Sequence, residues 1–255
     1  LIDSETATKT DIDNAIASLK SAEQAADNKL ADVTATAKSA LGKTAPVSGE
    51  KAVVDAAKDL QTLLDSGTAT ATQIADATKK LTDTVSAETT TRGKAVNDAA
   101  SDVVPANVQD VKTVQDLQDK LQNALANAAA DKGSTQAIKD AQKALDDAIK
   151  QAQSDLADVK NTAMSDMTKV PANLLDDKSV TDAKAALNDA INSATATATD
   201  VKNAQQALDD AVTAAKSAQE GAAATANKAV TDVPASVKDS DAVKDAIAKV
   251  QGLTK

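Results

Sequence analysis

The residues of this sequence able to do chemistry are few in kind. There is no His, no Cys and no aromatic residue. A Ser–His–Asp triad, a Cys–His pair and a zinc site built on His or Cys are therefore excluded by composition. Carboxylates remain. Asp146-Asp147, Asp176-Asp177 and Asp209-Asp210 are adjacent acids, the residue type that glycosidases use in converging pairs. Neighbours on a helix point about 100° apart, so Asp146-Asp147 and Asp209-Asp210 diverge and read as solvated helix surface. A calcium loop needs Asp at alternate positions followed by Gly and Glu. Asp239-Ser240-Asp241 offers only the alternation and reads as a helix cap. No glycine-rich phosphate loop is present, and Met164 and Met167 read as core fillers. The expectation is no catalytic, cofactor-binding or metal-binding residue, no cofactor, and no enzyme.

Charge narrows the partners. The formal net charge is −10, with Glu only at 5, 23, 50, 88 and 220 and Arg92 the sole arginine. Phosphate contacts need a basic surface, so no nucleic-acid partner is expected. Lys at helical spacing pairs with Asp on exposed faces, each pair contributing a few tenths of a kcal/mol. No run of 18 apolar residues occurs, so this segment encodes no transmembrane helix. Zero Cys fits either redox compartment. The sequence starts at Leu1 without a leader pattern, as expected of a mature or excised segment.

Any surface of this chain must be positioned by helices. Ala is abundant, and Gly (7) and Pro (4) are scarce in 255 residues, a helix-rich signature. From Ser134 to Pro171 apolar residues fall at Ile138, Ala141, Leu145, Ala148, Ile149, Leu156, Val159, Ala163, Met167 and Val170. Those steps trace one helix face over roughly 50 Å.

The four prolines, at 46, 105, 171 and 234, set a ruler with spacings of 59, 66 and 63 residues; such a period signals a repeat array. After each proline comes a shorter amphipathic pattern: Val53, Ala56, Leu60, Leu63, Leu64; then Val114, Leu117, Leu121, Ala124, Leu125; then Val180, Ala183, Leu187, Ala190, Ile191; then Val243, Ala246, Val250. A polar linker (DSGTAT, NAAADKGST or NSATATAT) leads to a long helix whose first apolar residue is Ile74, Ile138 or Val201. Ile12 begins an equivalent helix at the amino end. Thr8, Thr70, Ser134 and Thr197 stand where N-caps belong, with Asp11, Gln73 and Asp200 placed for capping boxes. From Ile74 to Pro105 the first complete long helix is two residues shorter than its counterparts. A kink or break is expected there, near Thr89-Thr90-Thr91-Arg92-Gly93.

A one-faced helix cannot bury its stripe alone. The fold expected is all-α: tandem three-helix bundles sharing long connecting helices, in an elongated rod advancing about 25 Å per repeat. The divisions are a partial repeat at 1–21, bundles at 22–88, 89–152 and 153–215, and a partial bundle at 216–255. The two ends, cut in mid-repeat, should fray or borrow partners.

The runs VVDAAKDLQTLLDSGTATATQIADATKKLTDTV, VQDLQDKLQNALANAAADKGSTQAIKDAQKALDDAI and VTDAKAALNDAINSATATATDVKNAQQALDDAV resemble the FIVAR module. The shared grammar is a leucine-bearing helix, a small Thr/Ser linker, then [IV]xxAxxxLxxA[IV]. The resemblance implies a Gram-positive, cell-wall-associated surface protein, an extracellular setting, and tandem helical modules forming a stalk that projects a distal binding domain. Some extracellular-matrix-binding proteins with such modules are associated with fibronectin. FIVAR modules usually carry Tyr or Trp near the first loop; this chain has none, so no aromatic ligand contact carries over.

The leading expectation is thus a monomeric structural spacer of a surface adhesin, its partners the adjacent repeats of the same chain. The alternative is a binding module for a host extracellular-matrix protein, for which the sequence offers no aromatic or arginine-rich hot spot. A stress or ice-binding helix would want a strict 11-residue Thr/Ala repeat, which is not visible.

Overall fold

Long runs of good helix formers, punctuated by proline and by Thr/Gly linkers, become separate helices. The computed structural model describes residues 6–254; residues 1–5 of the expected opening partial repeat and residue 255 lie outside it. The described chain is all-helical, with no strand among the described residues. Its helices are α1 (Lys9–Leu41), α2 (Lys51–Ser66), α3 (Ala71–Ala100), α4 (Lys112–Ala129), α5 (Thr135–Thr168), α6 (Lys178–Asn192), α7 (Ala198–Thr231) and α8 (Asp241–Leu253). Long helices of 33, 30, 34 and 34 residues alternate with short ones of 16, 18, 15 and 13.

The helix starts lie where the sequence places them. Thr8, Thr70 and Thr197 accept from the third helical N–H of α1, α3 and α7, and Asp11, Gln73 and Asp200 return the bond as capping boxes. The Ser134 hydroxyl accepts from the Ala137 N–H at 3.2 Å. At the end of α2, Gly67 adopts φ 65°, a left-handed stop in which a side chain would be strained. Short 3-10 turns at Ala45–Val47, Ala106–Val108 and Ala172–Leu174 contain Pro46 or follow Pro105 and Pro171. These turns insert Val47, Val108 and Leu174 into the interior, an anchoring role that the helical period alone does not announce.

Of the kink or break expected near Thr89–Gly93, the break does not form. Helix α3 continues from Ala71 to Ala100. The hydroxyls of Thr89, Thr90 and Thr91 donate to the carbonyls of Val85, Ser86 and Ala87, four residues back, at 2.7, 3.0 and 2.9 Å. Bonded back to the preceding turn, a pattern that bends helices without ending them, they leave α3 unbroken.

The chain divides into two units: Leu1–Val103 with Asp116–Asp146, and Val104–Gln115 with Asp147–Lys255. In the first, the tail of α1, the turn after it, α2 and the head of α3 build a core from Ala37, Val47, Val53, Ala56, Leu60, Ile74 and Leu81. In the second, the tail of α5, its following turn, α6 and the head of α7 build one from Leu156, Ala163, Leu174, Val180, Leu187, Ile191, Val201, Leu208 and Ala215. Met167 packs on the edge of this core, as expected. Met164 does not: it is 49% exposed, because Ala163 occupies the inward position and the next residue is turned about 100° away.

The amino-terminal half of α1 stays helical without a cover, leaving Ile16 and Leu19 47% and 60% exposed. Helix α8 packs against α7.

Candidate functional site

The acidic residues are dispersed by the helices that carry them. Asp146 and Asp147 are exposed on α5, and Asp209 and Asp210 on α7; Asp210 accepts from Gln206 Nε2 at 2.8 Å. Asp176 is exposed, whereas its neighbour Asp177 caps α6, accepting from the Ser179 hydroxyl at 2.5 Å and the Ser179 N–H at 2.8 Å. Those bonds, the hydroxyl's first, hold the Asp177 carboxyl below its ordinary value. Asp200 is lowered by the Thr197 N–H and then its hydroxyl, and Asp11 by the Thr8 hydroxyl and then its N–H. All three are helix-start groups. In Asp239-Ser240-Asp241, Ser240 takes the N-cap position of α8 without a side-chain capping bond, and Asp241 lies in the first turn. Among the described residues no group of three or more carboxylates is placed to hold a metal ion.

Lysines decorate the same exposed faces. Lys51–Asp55, Lys79–Asp83 and Lys178–Asp182 are ion pairs of 2.5, 2.5 and 2.6 Å one turn apart. The Asp83 hydrogen bond raises the Lys79 pKa. In each, Lys precedes Asp, the weaker orientation against the helix dipole, so these pairs keep the surface wet more than they stabilise it. Lys80 reaches Asp59 at 2.9 Å and clips α3 to α2.

One polar cluster differs from the rest because it is buried. Counting from Ile74, Arg92 stands 18 residues along α3, five full turns, and so on the inward face with Leu81, Ala95 and Ala99. The same count from Ile138 in α5 reaches Leu156, a core residue. An arginine therefore fills a position that is leucine in the next long helix. Its guanidinium is not stranded: Nη1 donates to the carbonyl of Pro46, and Nη2 donates to those of Ala128 and Lys132, both at 3.1 Å. Beside it, buried Glu50 accepts through one oxygen from the N–H and the hydroxyl of Thr135, at 2.5 and 2.6 Å. The backbones meet here too, since a Cβ on Gly49 would collide with the carbonyl of Gly133. All of these residues belong to the first unit.

Arg92 carried a sequence signal, a charge interrupting an apolar period in the one long helix that is two residues short. Glu50 carried none: its partner is 85 residues away. The bonds of this cluster join Arg92 to backbone carbonyls and Glu50 to the N–H and hydroxyl of Thr135. No protein-family model, no curated protein and no solved structure matches this chain. No helix among the described residues is long and apolar enough to cross a membrane.

Proposed function

We propose that the chain is a non-enzymatic spacer: a run of three-helix modules that share long helices and hold apart whatever is attached to their ends. The observation that carries this reading is the double use of α3. Its head supplies Ile74 and Leu81 to one core, and its tail carries Arg92 to the connection between α4 and α5. A helix shared in this way transmits direction from one module to the next, which a flexible linker cannot do. The recurrence of long and short helices at the proline period, and the similar three-helix cores in the two units, support the same reading.

On this reading the chain is an elongated monomer whose modules are bounded near residues 21, 88, 152 and 215. The resemblance of its Val53–Val85, Val114–Ile149 and Val180–Val212 stretches to FIVAR modules favours a setting outside the cell, as the stalk of a Gram-positive adhesin. Small-angle X-ray scattering tests the architecture. A rod of about 100 Å has a radius of gyration near 30 Å, whereas a compact protein of this length would give about 18 Å. The smaller value would end the spacer reading.

A further inference from the structure

A buried charge is costly unless it is fully hydrogen-bonded. Yet Arg92 and Glu50 are only 6% and 9% exposed, and the position of Arg92 is a core leucine, Leu156, in the next long helix. Their partners explain the expense. Ala128 lies in the last turn of α4, its carbonyl also accepting from the Asp131 N–H at 3.2 Å, and Lys132 lies just beyond, at the helix end where carbonyls lack a full set of partners within the helix. Thr135 is the first residue of α5, where N–H groups are similarly unpaired and a negative charge is favoured by the helix dipole. Arg92 thus caps the end of one helix and Glu50 the start of the next. Glu50 lies on the α1–α2 connection, and Arg92 is itself held to Pro46 on that connection. The Gly49–Gly133 approach and the Ser48 hydroxyl, 3.4 Å from the Asp131 carbonyl, seat the two connections against each other.

We propose that this junction makes the α1–α2–α3 core and the α4–α5 hairpin open as one cooperative block. Unfolding the hairpin leaves Arg92 and Glu50 without these partners, and unfolding the core strands the end of α4 and the start of α5, so neither opens alone at low cost. The same two roles recur in the second unit in diluted form. Lys160 of α5 donates to the Ser193 carbonyl at the end of α6, at 2.9 Å, and Asp110 accepts from the Thr199 hydroxyl near the start of α7, at 2.8 Å. There each role is filled by a single hydrogen bond, and Asp110 and Thr199 are exposed. Coupling is therefore strongest at the Arg92 junction. The inference stands on this geometry and holds whether or not the chain serves as a spacer.

Hydrogen exchange read by mass spectrometry on the full chain tests it. In the unmodified protein, core amides of α2 and of the α4–α5 hairpin should exchange through a common opening with equal protection. In Arg92→Met the two segments should separate, one exchanging at least about tenfold faster than the other. Gly49→Ala, which alters no charge, should separate them likewise, while Lys160→Met should leave them in step. Glu50→Gln and Thr135→Val, singly and combined, should be non-additive by about tenfold in the unfolding constant. The proposal is overturned if the segments remain in step in both Arg92→Met and Gly49→Ala, or if only amides 130–134 respond. Additivity of the Glu50 and Thr135 changes would also overturn it, and that cycle remains decisive if Arg92→Met fails to fold.

Discussion

At the scale of single residues the molecule is a set of helix starts. Thr197 and Asp200 exchange three hydrogen bonds, of 2.9, 3.0 and 3.2 Å, at the head of α7. Thr197→Ala should cost about 1 kcal/mol, read from chemical denaturation. The carboxyl of Asp200 is lowered from 3.8 in the folded chain, so its bonds stabilise the fold fully above that value. The contribution disappears as pH falls through the lower, folded value, where both states are protonated. The stability advantage of the natural protein over Asp200→Asn should therefore be constant near neutrality and shrink on acidification below pH 3.8; an advantage that persisted in strong acid would refute this account. These caps were legible because a cap and its partner lie three residues apart. Glu50 and Thr135 obey the same chemistry but are joined only by the fold, so no local pattern reveals them.

Helices are the scale at which the sequence speaks most clearly. Period and proline locate all eight α-helices among the described residues, and the inward positions Leu60, Leu81, Leu145, Leu187 and Leu208 are buried as the spacing requires. What the pattern misses is conformational detail that several side chains decide together. The Thr89–Thr91 run looks like a break, but its hydroxyls find carbonyls within the helix. Met164 looks like core and is displaced by an alanine one position earlier. The contrast between a covered and an uncovered helix head gives a direct test. Leu208→Ala, in the α7 head, should cost about 2–5 kcal/mol, whereas Leu19→Ala, at 60% exposure in α1, should change stability by no more than about 0.5 kcal/mol. Equal losses at the two sites would mean that α1's apolar stripe is covered in solution.

For the whole molecule, the dominant fact is that cores are local. The core that includes Val201 and Leu208 takes nothing beyond Ala215, although α7 runs on to Thr231. Removing residues 221–255 should therefore leave amide protection around Leu187 and Leu208 within about threefold of the intact chain, as expected where stability is a sum over neighbours. Collapse of that core on truncation would show a longer-range dependence. Charge acts at this scale as well: a formal −10 sets up repulsion between copies of the chain. Arg92 has one more consequence, for proteolysis. Because it is the sole arginine, an arginine-specific protease has a single bond to cut, Arg92–Gly93, inside a continuous helix and behind a guanidinium engaged with three carbonyls. The folded chain should resist it, and the appearance of two fragments, 1–92 and 93–255, then becomes a clock. When cleavage is slower than reclosing, its rate counts how often the junction stands open, with no label and no substitution.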